Sequence, residues 1–385
     1  MMRPIRLHLD TSDYAIMYRA APGTPEAHVR DELTGMKESG RIEIGMSYHV
    51  VFELLQKAEP KFRDDRLARA RFLTQLCGRN AFPYPSDLGR GYRFSTEGLW
   101  VPRIDLDDID IERLVRNAME TIAHRPELSR RERRALSKRS YFVEWVRSNP
   151  LEFRLLTGAQ WPLLFGREFE ENGDFRRYIL GEMTRSEANK TVRFYITDPE
   201  AVYETWFENY GRDNPVPERR DQIASKLVVM LNELNVMLDE TAALKTKTKK
   251  ELATSGINAL DVADREALVK LGDDLESFRA EITSPEELSK LPAWTVMAGD
   301  EAAPIAAQVF YAFHREKRDI KRSDAIDLIH AMYLPHTDLW RGDKAFSNLL
   351  IKNRVNFHER IVPTLLELPR RIETEIARRE NHTGL

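Results

Sequence analysis

Residues 5–13 read Ile5-Arg6-Leu7-His8-Leu9-Asp10-Thr11-Ser12-Asp13. Ile5, Leu7 and Leu9 alternate with Arg6 and His8, the two-residue period of a β-strand with one apolar face. The alternation stops at Asp10. Asp10 to Asp13 is turn chemistry, so a loop is expected after the strand, with a carboxylate at the strand's carboxyl end. Working outward, a helix is predicted over 25–39, opened by Pro25 and stopped by Gly40. Residues 41–47 alternate again as a second strand. Val50 to Lys57 reads as a helix with an apolar stripe of Val50, Val51, Leu54 and Leu55. Another helix is expected over 64–77, stopped by Gly78. The order β-α-β-α-α is that of an α/β fold, an open parallel sheet flanked by helices. Ligand sites in such sheets lie outside the carboxyl ends of the strands, where Asp10 falls.

Beyond this block, Pro83, Pro85, Gly89, Gly91 and Pro102 mark a loop-rich stretch over 80–104. From Asp107 to Ile282 the patterns are mostly helical. They include 108–122, a long helix over 223–244 (Leu227, Met230, Leu231, Leu234, Met237 and Leu238 at helical spacing) and further helical patterns over 251–282. The α/β pattern then returns. Helices are predicted over 303–315 and 324–332, a short strand over 338–341, a helix over 344–352, a weak strand over 359–362 and a last helix from Pro363. The expected organisation is one α/β domain in two parts, 1–104 and 301–385, interrupted by a mainly α-helical inserted domain over 105–300. Inserting a domain in a surface loop adds little closure entropy.

The chain has 385 residues, 42% apolar and 31% charged, which excludes wholesale disorder. With 59 Lys and Arg against 62 Asp and Glu, its formal net charge is −3. There is no global attraction for nucleic acid, so any polyanion site must come from local basic clusters. The lone cysteine, Cys77, excludes an internal disulfide framework and a cysteine-rich zinc site. It reads as a core residue in a reducing compartment. No apolar run approaches the roughly 18–20 residues a membrane span needs. A cytoplasmic protein with no membrane partner is expected. No Gly-x-Ser-x-Gly, phosphate loop, Gly-x-Gly-x-x-Gly or His-Glu-x-x-His is present.

Acidic residues carry the chemistry. Asp10 ends the first strand, and Glu53 sits in the apolar helix after the second. Asp324 and Asp327 share one helix face at i, i+3 with His330 nearby, and Asp338 and Asp343 follow. Converging carboxylates repel one another and are most easily accommodated around a hard divalent cation, Mg²⁺ or Mn²⁺. Plainer readings stand beside this one. Asp10 also suits a turn or cap, Asp324 suits the first turn of a helix, Asp338 suits a strand start, and His330 suits a structural role.

Three segments resemble the PIN-domain nucleases. They are 7–12 (Leu-His-Leu-Asp-Thr-Ser), 45–54 (Gly-Met-Ser-Tyr-His-Val-Val-Phe-Glu-Leu), and 324–346, which opens Asp-Ala-Ile-Asp-Leu-Ile-His-Ala-Met-Tyr-Leu-Pro. The resemblance covers roughly 1–80 and 305–370, under half of the chain. Asp10-Thr11-Ser12 matches the first acidic motif, Glu53 the second, Asp324 or Asp327 the third and Asp343 the last. Gly342 stands where the family usually has Thr or Ser, and the gap between the second and third regions is several times longer than in small members. The resemblance implies a PIN-like sheet and metal-dependent hydrolysis of phosphodiesters, most often RNA, by metal-activated water. Asp10, Glu53, Asp327 and Asp343 would be the metal ligands, with Asp324 the next candidate. Thr11 or Ser12 would orient Asp10, and His330 would orient Asp327 or touch substrate. A toxin or antiphage role, with an inhibitor protein or a second copy as further partners, rests on analogy alone.

Three basic clusters could meet phosphates. Arg315, Lys317, Arg318, Lys321 and Arg322 lie beside the third acidic region and are the leading nucleic-acid contacts. Residues 125–139 hold a second cluster, where Ser129-Arg-Arg-Glu132 also spells a helix-start capping box. Lys245, Lys247, Lys249 and Lys250 form another. Aromatics near 141–145 and 203–210 suit either base stacking or a core. Two rivals remain: a DNA nuclease of the same fold, and a non-catalytic PIN-like interaction protein.

Overall fold

The computed structural model describes residues 3–54, 60–88, 90–101, 110–125, 128–150, 153, 173–203, 224–236, 238–240, 243, 246, 247 and 292–383. Across them the chain is mixed α/β and mostly helical, with a small three-stranded sheet. The strands are β1 (Ile5–His8), β2 (Ile42–Gly45) and β3 (Leu339–Trp340). The first helices are α1 (Thr11–Arg19), α2 (Pro25–Glu38), α3 (Tyr48–Leu54) and α4 (Arg63–Cys77). Then come α5 (Ile111–Ala123), α6 (Arg130–Leu136), α7 (Arg139–Ser148), α8 (Asp174–Ile179) and α9 (Arg185–Thr197). The last are α10 (Pro292–Arg315), α11 (Arg322–Ala331), α12 (Lys344–Lys352) and α13 (Leu368–Thr383). Contacts divide the chain into two compact units, one of residues 1–10, 85–93 and 218–385, the other of 11–84 and 94–217.

In the first unit β1 pairs in parallel with β3, Leu7 opposite Leu339 and His8 opposite Trp340. All four side chains are buried, as expected of a parallel pair covered on both faces. The ladder runs on through the amide of Asp338 to the carbonyl of Arg6 and the amide of Arg341 to the carbonyl of His8. Asp338 locks this edge. Its carboxylate accepts from the amide of Arg6 at 2.7 Å and pairs with Arg3 at 2.7 Å and Arg379 of α13 at 2.6 Å.

The weak strand expected over 359–362 is instead a 3-10 turn, His358–Arg360, followed by one parallel bridge from Ile361 to Trp340. Val362 donates to the carbonyl of Trp340, and Pro363 has no N–H to extend the ladder. The last helix starts at Leu368, after a second 3-10 turn, rather than at Pro363. Pro369 takes the early helical position that suits proline. Helix α10 starts well before the predicted 303 and runs through Pro304. An interior proline removes one hydrogen bond and crowds the preceding turn. That cost is offset by burial of Ala303, Ile305, Ala306, Val309, Phe310 and Phe313 around the helix.

In the second unit the loop expected at Asp10–Asp13 is replaced by α1, which begins at Thr11. Thr, Ser and Asp start helices as readily as they make turns. Helix α2 is capped by Thr24 and opened by Pro25, and α4 ends at Gly78, whose φ of +62° favours glycine. Helix α3 spans 48–54; the remainder of its predicted range, 55–57, lies outside the described residues. A Cβ on Gly45 would come within 2.6 Å of the Phe82 and Phe94 rings, so glycine closes β2 against them. Helices α5 to α9 form a helical cluster around Ile111, Val115, Phe142, Val146, Phe175 and Val192. Asp110 caps α5, and reciprocal capping boxes open α6 (Ser129, Glu132) and α9 (Thr184, Glu187).

The predicted long helix is present over 224–236 and 238–240 in the first unit. The helical patterns over 251–282, the aromatics over 204–210, and Lys245, Lys249 and Lys250 lie outside the described residues.

Two predictions follow from the packing. A Cβ on Gly342 would overlap the ring of Trp340, which is fully buried and has no room to yield. Gly342→Ser should destabilise by about 1–3 kcal/mol in urea unfolding, the usual range for overpacking; unchanged stability would contradict the packing. Cys77 is buried at the end of α4, 3.3 Å from the Tyr14 hydroxyl, and burial pushes its thiol up to about 12. The folded chain at pH 8 should resist iodoacetamide, and the urea-unfolded chain should label fully.

Candidate functional site

Asp10 lies two residues past β1, and Asp343 three residues past β3. The parallel register therefore brings both to the carboxyl edge of the β1–β3 pair. Asp10 is half-buried, and one of its carboxylate oxygens lies within 4.8 Å of a ring nitrogen of His330. His330 is held from several sides. It sits in the last turn of α11, its carbonyl accepts from Trp340 Nε1 at 2.9 Å, and its ring meets that of His8 edge-on at 5.4 Å. His8 in turn stacks on Tyr333 at 5.1 Å and Trp340 at 6.2 Å. A buried aromatic layer thus fixes where the His330 imidazole points.

The residue after Asp10 opens α1. Thr11 Oγ1 donates to the Glu53 carboxylate of α3. A hydroxyl-to-carboxylate bond of this kind is charge-assisted and fixes the orientation of the acid. Glu53 is half-buried in a helix whose neighbours Val50, Val51, Phe52 and Leu54 are buried. Ser12 is exposed, and the acid that Thr11 reaches is Glu53.

Asp324 and Asp343 have defined structural duties. Asp324 is 1% exposed; one oxygen pairs with Arg318 and the other accepts from the Lys321 amide at 2.8 Å, completing the cap of α11. Asp343 caps α12, its Oδ1 accepting from Ala345 at 2.8 Å and Phe346 at 3.2 Å. Asp327 is half-buried on α11. Among the described residues, none of these three joins a group of three ligand atoms close enough to share an ion.

Two structural contributors escaped the sequence reading, His8 and Trp340. The alternation assigned His8 to the polar face with Arg6. The available signal was the parallel topology, because a strand covered on both faces has no solvent side. In the basic cluster, Arg318 is engaged by Asp324 and lies over the Phe313 ring at 5.5 Å. Arg315, Lys317, Lys321 and Arg322 are exposed. In the second cluster Arg139 pairs with Glu112 at 2.8 Å, while Arg130, Arg131, Arg134 and Lys138 are exposed. No described helix is long and apolar enough to cross a membrane. No family model, curated protein or solved structure matches this chain.

The Thr11 bond can be tested directly. Thr11→Val should lower stability by about 1.5–3 kcal/mol, the range for a hydrogen bond to a charged group. Thr11→Ser, which keeps the hydroxyl, should recover most of it. Equal losses for the two variants in chemical unfolding would argue against the bond.

Proposed function

We propose that the chain is a divalent-metal-dependent nuclease of PIN-like type that hydrolyses RNA. The observation that carries the reading is the setting of Asp10. It is within 4.8 Å of His330 by ligand atoms. Asp10 and His330 would be ligands, and Glu53 is the further acid that the sequence resemblance offers. A carboxylate and an imidazole fit a divalent cation, and the nitrogen donor favours Mn²⁺ over Mg²⁺, which prefers oxygen.

A cation bound there lowers the pKa of a bound water and screens the phosphoryl charge. The chain's own residues supply the rest. Thr11 holds the Glu53 carboxylate in one orientation, and the His8–Trp340 layer holds His330. Arg315, Lys317, Lys321 and Arg322 lie just before or at the start of α11, whose last turn carries His330. They would grip phosphates without reading sequence.

The test is cleavage of a labelled single-stranded RNA and its matched DNA strand, with Mn²⁺, Mg²⁺ or EDTA. Cutting should require metal, be faster with Mn²⁺ and favour RNA. Asp10→Asn should reduce the rate by about 100-fold or more, equivalent to about 2.7 kcal/mol, while the variant stays folded. Wild-type cleavage by that variant would overturn the assignment. Faster cutting of the DNA strand would transfer the reading to a DNA nuclease. No cutting and no metal-induced rise in Tm would leave an interaction protein.

A further inference from the structure

Helix α4 carries a second concentration of charge, this one positive and buried. Arg66 and Arg69 are three residues apart and share one helix face. They are 8% and 6% exposed. Guanidinium groups almost never reach that burial unless paired, yet among the described residues little pairs with these two. Arg66 Nη1 donates to the Leu54 carbonyl at 3.4 Å, and its Nε has no hydrogen-bond partner. Arg69 lies over the ring of Tyr18 at 5.9 Å. Its Nη2 pairs with the Asp65 carboxylate at 2.8 Å, and its Nε has no hydrogen-bond partner among the described residues. Arg19, at the end of α1, adds a third like charge that acts on Arg66. Burial first, and the charge of Arg69 next, hold the Arg66 guanidinium below its ordinary pKa. Among the described residues, these like charges are met by one ion pair, that of Arg69 with the partly exposed Asp65.

One wall is rigid. The Tyr203 hydroxyl donates to the same Leu54 carbonyl at 2.9 Å, and burial raises the pKa of its phenol. Tyr203 therefore stays neutral and supplies no negative charge. An apolar anchor at these positions would pack at lower cost than two buried like charges. Among the described residues, the one carboxylate paired with either is Asp65, on Arg69. Guanidinium is planar and presents its N–H groups as a fork that matches the oxygens of a phosphoryl group.

We propose that Arg66 and Arg69 form a binding site for a phosphoryl group. The site uses none of Asp10, Glu53 or His330, so it stands or falls independently of the nuclease reading. The phosphoryl group could come from a phosphomonoester or free phosphate, or from the diester backbone of a nucleic acid.

The experiment is thermal unfolding and titration calorimetry of the full chain in EDTA, at constant ionic strength in chloride. EDTA keeps the acidic site out of the measurement. Inorganic phosphate added over the millimolar range should give a saturable rise in Tm and a one-site isotherm. Arg69→Met should lose both responses and be no less stable than wild type without phosphate, because it removes a buried charge. Arg66→Gln serves the same purpose should the methionine variant fail to fold. No saturable rise in wild type, or the same rise in the variants, would overturn the proposal. Competition then identifies the source. Displacement of phosphate by an oligonucleotide without terminal phosphates points to a diester. Displacement by a nucleoside monophosphate alone points to a monoester. Either supports the site.

Discussion

The hydrogen bond from the Trp340 indole to the His330 carbonyl is the constraint on which the first unit turns. It links β3, two residues long, to the last turn of α11. The same indole ring stacks on His8 and excludes any side chain from position 342. Its backbone takes the bridge from Ile361. A buried indole must satisfy its N–H, and here that requirement sets the height of α11 along the strand pair. The His330 ring then has one place to go, toward Asp10. A serine or threonine at 342 would strike the Trp340 ring.

The elements that came directly out of the sequence are those with strong local signals. Thr24-Pro25, Gly78, the Ser129–Glu132 box and the helix over 344–352 are each marked by a cap, a breaker or a clear period, and each appears where expected. The misreadings share one cause, two local rules competing for the same residues. Asp10-Thr11-Ser12-Asp13 spells a turn and also a helix start, and the helix wins at Thr11. Pro304 looks like a helix opening until the apolar residues around it are seen to be buried on all sides. Pro363 and Pro369 both suit a helix start, and tertiary pairing of Ile361 with Trp340 reserves the first for ending a strand contact.

The acids teach a harder lesson. An aspartate that caps a helix, one that clamps a strand and one that could bind a cation are the same residue type, and neighbours in sequence do not separate them. Asp324, Asp338 and Asp343 are engaged in caps and ion pairs through partners as distant as Arg3 and Arg379. Asp10 and Glu53 stand out in the sequence because strand ends and apolar helices leave a carboxylate few structural duties. The buried arginines of α4 were not legible at all. Charge on a helix reads as a solvated face by default, and only the packing of Tyr18 and Tyr203 reveals otherwise.

The distance along the chain between β1 and β3 has a consequence for synthesis. His8 pairs with Trp340, more than 300 residues later. At about 5–20 residues per second a ribosome needs roughly 15–70 s to cover the 332 residues from His8 to Trp340. Until α11 and β3 are made, the parallel partner of β1 does not exist, and a nascent chain holds Asp10 without His330. Under the nuclease reading proposed above, that order of events would be a safeguard. The message being translated would not meet an assembled site until α11 and β3 had been made.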